Sequence, residues 1–293
     1  MPSFRENRWQ LDMQAFQTIA QARDVDILLR FAGNDPHQQN IQMKEMVNIG
    51  IDALIVAPTD VFSAGDGVAY AKKRGVPVLS YDRLAENCDV DAYVAFEREG
   101  VGDLMGRYLV KMAPRGNYIL LRGPSADSNA RDFYEGAMTH IRPLVESGDI
   151  TVLMDEEVPG WRADAAEQLV DQALARTGDV VAVLAPNDDT AGGVVRALER
   201  KGLAGKVPVT GQDATPEGLL RIIQGVQGMT VLKDTNFLAR EAVAVALAVA
   251  AGDAPVADTV TNNGARDVPT FVLPVTLVNK QSLAFVLRLP EFE

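Results

Sequence analysis

Gly50-Ile-Asp-Ala-Leu-Ile-Val-Ala-Pro58 returns later in the chain as Gly178-Asp-Val-Val-Ala-Val-Leu-Ala-Pro186. Each run is apolar and closed by proline, and each is followed by a helix-length segment that ends in a basic residue and glycine, Arg74-Gly75 or Lys201-Gly202. A second short run follows, Val76-Pro-Val78 or Val207-Pro-Val209, and each strand so begun ends in an aspartate. These are Asp82 and Asp213, 24 residues beyond Pro58 and 27 beyond Pro186. Continuous apolar runs are strands buried on both faces, and strand-helix-strand alternation implies parallel sheets with right-handed crossovers. The repetition favours two similar lobes over one large sheet. Chance similarity is the alternative, because Val, Ala and Leu runs recur in any parallel sheet.

The same alternation extends outward in both directions. Strands are expected at Ile27 to Ala32, Ala53 to Ala57, Val76 to Tyr81, Ala92 to Phe96, Tyr118 to Leu121, Thr151 to Met154, Val180 to Ala185, Val207 to Thr210, Met229 to Leu232 and Phe271 to Val278. Between most of them lie helix-length stretches such as Gln38 to Asn48, Ala64 to Lys73, Ala163 to Arg176 and Thr190 to Lys201. The expected fold class is α/β, with two doubly wound parallel-sheet lobes.

Composition narrows the function. The 293 residues, 47% hydrophobic and 23% charged, are enough for two buried cores. A net charge of −12 and a pI near 4.7 argue against a nucleic-acid partner, which needs clustered Lys and Arg. Cys88 is the only cysteine, so no internal disulfide can form, and with His37 and His140 as the only histidines no metal site is expected. The longest apolar run, Ala242 to Ala251, is too short to span a membrane. The N-terminus lacks the basic and apolar regions of a signal peptide. P-loop, dinucleotide and nucleophile-elbow signatures are absent, so neither a cofactor nor catalysis is expected.

In open α/β sheets, ligands bind beyond the carboxyl ends of the strands. Asp82, Arg83, Asn129, Trp161, Asn187, Asp213 and Lys233 all fall at such ends. Carboxylates, amides and guanidinium forks can hold two adjacent hydroxyls at once, while indole faces stack on the C–H face of a polyol. Trp9 and Trp161 are the only tryptophans, and Phe96 offers a further ring. Each residue also has a plainer role open to it. Asp82, Asp213 and Asn187 suit the capping of a following turn or helix. Trp9 and Trp161 suit packing, Lys233 a solvated charge, and Arg83 an ion pair with Asp82 or Glu86.

Arg8-Trp9-Gln10, Tyr81-Asp82-Arg83, Asp127-Ser-Asn129-Ala130, Gly160-Trp161, Asn187-Asp188, Thr190-Ala-Gly-Gly193, Gly211-Gln-Asp213 and Asn262-Asn-Gly264 together resemble the bacterial periplasmic xylose-binding proteins of the ribose-binding-like class. The similarity runs through nearly the whole chain. It implies a type I periplasmic binding protein whose lobes are joined by three crossings, near Lys111 to Arg115, Asp234 to Asn236 and Gly264 to Val268. The lobes would be residues 1–111 with 236–264, and residues 115–234 with 268–293, with the sugar in the cleft between them. Helix Phe237 to Ala251 would cover the first lobe. The implied sugar contacts are Arg8, Trp9, Asp82, Arg83, Asn129, Trp161, Asn187, Asp213 and Lys233. Ser128 stands where a second asparagine is expected, a change able to redirect which epimer is accepted.

The resemblance implies a periplasmic monomer that binds D-xylose or a related aldose by hinge closure and presents it to an ABC importer permease. A sugar-sensing subunit and a LacI-like regulatory core without its DNA-binding headpiece are the alternatives. It also implies a strand ahead of the Arg8-Trp9 segment. Either the natural start lies upstream with its signal peptide, or the apolar tail Leu283 to Leu289 fills the gap.

Overall fold

The computed structural model describes residues 1–4 and 7–287. The chain begins with helix α1 (Asn7–Arg23), then α2 (Pro36–Ile49), β1 (Leu54–Val56), α3 (Gly65–Lys72), β2 (Val78–Tyr81) and β3 (Ala92–Phe96). Helix α2 starts where the Asp35 side chain accepts the backbone N–H groups of His37 and Gln38, and it stops at Gly50, whose φ of 93° closes the helix in the left-handed region. A second region holds α4 (Arg98–Met112), β4 (Gly116–Arg122), α5 (Ser128–Glu146), β5 (Ile150–Glu157), α6 (Ala163–Arg176), β6 (Ala182–Leu184), α7 (Asp188–Arg200), α8 (Pro216–Gln224) and β7 (Met229–Leu232). The chain then runs through α9 (Thr235–Ala250), β8 (Thr259–Asn262), β9 (Asp267–Leu273), β10 (Thr276–Asn279) and α10 (Leu283–Val286).

Two compact units result. The first comprises Met1–Phe96, Ala126–Ser128 and Asp234–Pro274; the second comprises Glu97–Ser125, Asn129–Lys233 and Val275–Glu293. In the first, β1, β2, β3 and β9 run parallel in that order, and β8 closes the edge as an antiparallel partner of β9. Its core joins Val68, Leu54, Val78, Tyr93 and Val90 from α3, the sheet and the loop before β3, and α9 packs on α1 and on β1 to β3. In the second, β5, β4 and β6 form a parallel sheet, and β7 pairs antiparallel with β10. Helices α6 and α7 cover one face through Val170, Ala173, Val194 and Leu198, while α4 and α5 pack through Val101, Met105, Ala137 and Ile141.

The observed crossings depart from the expected ones. Helix α4 packs on β6 and β7, so the first crossing falls between Phe96 and Glu97 and not near Lys111 to Arg115. The run Phe271 to Val278 is not one strand. Pro274, which has no N–H to give a ladder, divides it into β9 in the first unit and β10 in the second.

Two further expected strands are missing from the sheets. Val207 to Thr210 contributes only the single bridge of Val209 to Val183. Among the described residues, Ile27 to Ala32 has backbone partners only at its far end, where the Met1 amino group donates to the Arg30 carbonyl and the Ala32 N–H donates to the Met1 carbonyl. A cavity of about 700 Å³ lies between residues 24–30 and Ala53–Ala57, floored by Phe16, Met43, Met46 and Val243. The tail does not fill it: Leu283 and Val286 pack with Leu219, Ile222 and Val278 in the second unit, and residues 288 and 289 lie outside the described ones.

Candidate functional site

In the first unit the buried residues Arg8, Trp9, Asp82 and Arg83 gather around the end of β2. Arg8 and Trp9 stand in the first turn of α1. The Arg8 guanidinium donates from Nε to Asp12 at 2.5 Å and from Nη2 to Asp82 at 3.1 Å, and Tyr81 donates its hydroxyl to the other oxygen of Asp12. Burial raises the Asp12 carboxyl above its ordinary value, against the pull of Arg8, and burial also pushes the Tyr81 phenol well up. Arg83 pairs with Asp127 at 2.6 Å and donates to the Pro58 carbonyl at 3.2 Å. The guanidinium carbons of Arg8 and Arg83 lie 5.6 and 5.2 Å from the centroid of the Trp9 ring, within cation–π range. Arg8 also lies 5.6 Å from the Phe96 ring.

In the second unit Asn129, Trp161, Asn187, Asp213 and Lys233 are all buried. Asn129 sits in the first turn of α5 and not in a loop. Trp161 closes a single 3-10 turn at φ 57°, and its ring lies so close to Gly123 that a methyl group there would overlap it. Its indole N–H has no hydrogen-bond partner among the described residues. Asn187 does cap α7: its carbonyl oxygen accepts the Thr190 N–H at 2.9 Å, and Thr190 Oγ1 accepts the Asn187 N–H in return. Lys233 is no solvated charge, since it is 4% exposed, donates to Asp213 at 2.9 Å and lies 5.6 Å from the Phe133 ring.

The two repeats hold their aspartates in the same backbone region. Asp82 at φ 61° and Asp213 at φ 90° both occupy the left-handed region, which Asp tolerates better than most residues. The Asp82 N–H donates to the Val94 carbonyl of β3 at 2.9 Å, and the Asp213 N–H donates to the Val231 carbonyl of β7 at 2.8 Å. Each carboxylate meets a buried base, Arg8 or Lys233. The polar groups are therefore held in place by their own partners, and an indole ring stands in each unit.

Three further buried carboxylates, Asp12, Asp127 and Asp188, stand beside these residues without having been assigned to the site. Asp12 lies four residues after Arg8, a helical spacing that signals a pair. Asp127 and Asp188 carry no such local signal, because their partners are distant in sequence. Among the described residues no cluster of His, Cys, Asp and Glu could hold a metal ion, and no helix is long and apolar enough to cross a membrane.

The sequence model of the periplasmic binding protein domain matches residues 1–254. Over 280 residues, 95% of this chain and 85% of the relative, the chain is 39% identical to the D-xylose-binding periplasmic protein of Escherichia coli strain K12. It is 34% identical to a multiple sugar-binding periplasmic protein of Azospirillum brasilense, across 94% of this chain and 84% of the relative. Among solved structures, the carbohydrate transporter solute-binding protein of Chloroflexus aurantiacus in complex with D-glucose superimposes with a TM-score of 0.94 at 28% identity, covering 100% of this chain and 94% of that one.

Proposed function

The chain belongs to the periplasmic binding protein family, and on that premise we propose that it captures one monosaccharide, D-xylose first among the candidates, for an ABC importer permease. It is a sugar-binding protein of the type I fold and not an enzyme. The observation that carries the reading is the pair of buried aspartates, Asp82 with Arg8 and Asp213 with Lys233, both in the left-handed region at corresponding points of the two repeats. A carboxylate already neutralised by a base accepts from sugar hydroxyls while the base donates to their oxygens, so neighbouring hydroxyls are engaged without an unpaired charge.

In this reading Arg8, Trp9, Asp82 and Arg83 form one half of the sugar site, and Asn129, Trp161, Asn187, Asp213 and Lys233 form the other. Trp9 and Trp161 supply the faces for the C–H surface of the ring. Neither half alone satisfies all hydroxyls, so the sugar favours the state in which both engage it, and that state is what the permease recognises. D-Xylose leads because it is in the name of a relative 39% identical over 95% of the chain.

The test is a titration panel of D-xylose, D-ribose, L-arabinose, D-glucose and D-galactose, followed by tryptophan fluorescence and calorimetry. D-Xylose is expected to change the emission of Trp9 and Trp161 at the lowest concentration. If no aldose in the panel binds, the sugar reading is wrong.

A further inference from the structure

Asp188 is fully buried at the start of α7, next to Asn187, and the proposed function gives it no task. Its Oδ1 accepts from the Gln227 amide at 2.7 Å, and its Oδ2 accepts the backbone N–H of Thr215 at 2.9 Å and the Thr215 hydroxyl at 3.3 Å. Its own backbone N–H donates to the Gln212 carbonyl at 3.0 Å. One residue thus grips residues 211–215 on both sides of Asp213. The carboxylate is walled by Gly211 and Gly218, and a methyl group on either would overlap it. Gln227 is itself aimed, because its carbonyl oxygen accepts from Arg221 Nε at 2.9 Å and its amide also donates to the Met229 carbonyl.

We propose that Asp188 is a positioning residue for the sugar site. Its carboxylate holds the 211–215 loop so that Asp213 keeps its left-handed conformation and its reach, and its place in α7 ties that loop to Asn187. The inference rests on the sugar-binding reading. Four donors face the carboxylate, from the Gln227 amide, the Thr215 N–H and hydroxyl, and the Thr230 hydroxyl, and only the ionised form can accept from all of them. Burial first, and then the charge of Asp213, lift its pKa from 3.8 to about 7, against the hydrogen bonds from Gln227, Thr215 and Thr230. Arg221 is the cation nearest the group and donates to its backbone carbonyl, with Asp189, Glu217 and Arg196 around that guanidinium. Below pH 7 the added proton sets an O–H against the Thr215 N–H or the Gln227 amide. Binding that requires the ionised form then releases a proton, so affinity falls as pH falls from 8 to 6, by up to about tenfold per unit.

The experiment measures D-xylose binding by calorimetry from pH 6 to 8 in the native protein, in Asp188→Asn, and in Asp188→Asn combined with Gln227→Glu. The asparagine amide opposes the Gln227 amide, donor to donor, and the second change restores the bond with its polarity reversed. Asp188→Asn is expected to weaken binding at pH 8 at least tenfold and to flatten the pH profile, and the double variant is expected to recover most of the affinity. Asp188→Asn binding within twofold of native overturns the proposal, even if its melting temperature drops. Should that variant not fold, a native affinity that stays constant from pH 8 to 6 overturns it instead. A native protein that binds no aldose overturns the underlying sugar reading, and that outcome is read from the native arm alone.

Discussion

At the scale of single residues, the site is built from charges that are buried before any ligand arrives. Lys233 and Asp213 are both more than nine-tenths buried, and the 2.9 Å pair between them offsets part of the cost of taking each charge from water. Lys233→Met leaves the Asp213 carboxylate without that ammonium, and breaking such a pair costs about 3–5 kcal/mol. Chemical denaturation of Lys233→Met should show a loss of that order, and adding Asp213→Asn should return most of the stability while leaving sugar affinity low. Full recovery of affinity in the double variant would remove both residues from the site. The duplicated aspartates were legible in the sequence because each ends a repeated strand. Their partners were not, since a guanidinium chooses its carboxylate by position in space: Arg83 reaches Asp127, 44 residues on, past Glu86 only three residues away.

Between elements, glycine decides how closely the covering helices approach. Gly193 in α7 faces α6, and a methyl group there would overlap the Ala163 carbonyl oxygen; Gly102 and Gly106 in α4 stand in the same relation to the backbone of α5 at Phe133 and Ala137. Backbone cannot rotate aside as a side chain can, so Gly193→Ala forces α6 and α7 apart across the core of Val170, Ala173, Val194 and Leu198. The expected loss is about 3 kcal/mol, the upper end for overpacking, read from the denaturation of the second unit. A variant as stable as native would mean that α6 can shift freely. The helices were legible in the sequence by their spacing and bounds. The strands were legible where both neighbours exist, as in β2 to β4. Apolar runs such as Ile27 to Ala32 look alike with or without a partner to complete the ladder, and pairing of β9 with β3, far apart in sequence, has no local sign.

For the molecule as a whole, the connectivity sets what motion is available. The chain passes between its units at Phe96–Glu97, Lys233–Asp234 and Pro274–Val275, and Ala126–Ser128 makes a short return to the first unit. Three backbone links restrict relative movement to a hinge-like mode. One of them borders a residue assigned to sugar, since Lys233 is the last residue before the link to Asp234. Arg8, Trp9, Asp82 and Arg83 belong to one unit and the other five proposed contacts to its counterpart, so on the proposed assignment a bound sugar would engage both. A ligand shifts such an equilibrium only by its differential affinity, and a sugar contacted from both units has a large one. Small-angle scattering should therefore show the radius of gyration falling on addition of D-xylose, toward the roughly 19 Å of a compact chain this long. The net charge of −12 keeps the protein dispersed enough for the measurement. A profile unchanged at a D-xylose concentration that calorimetry shows to be saturating would mean that the sugar is held by one unit alone, and the hinge would then have no part in signalling to a permease.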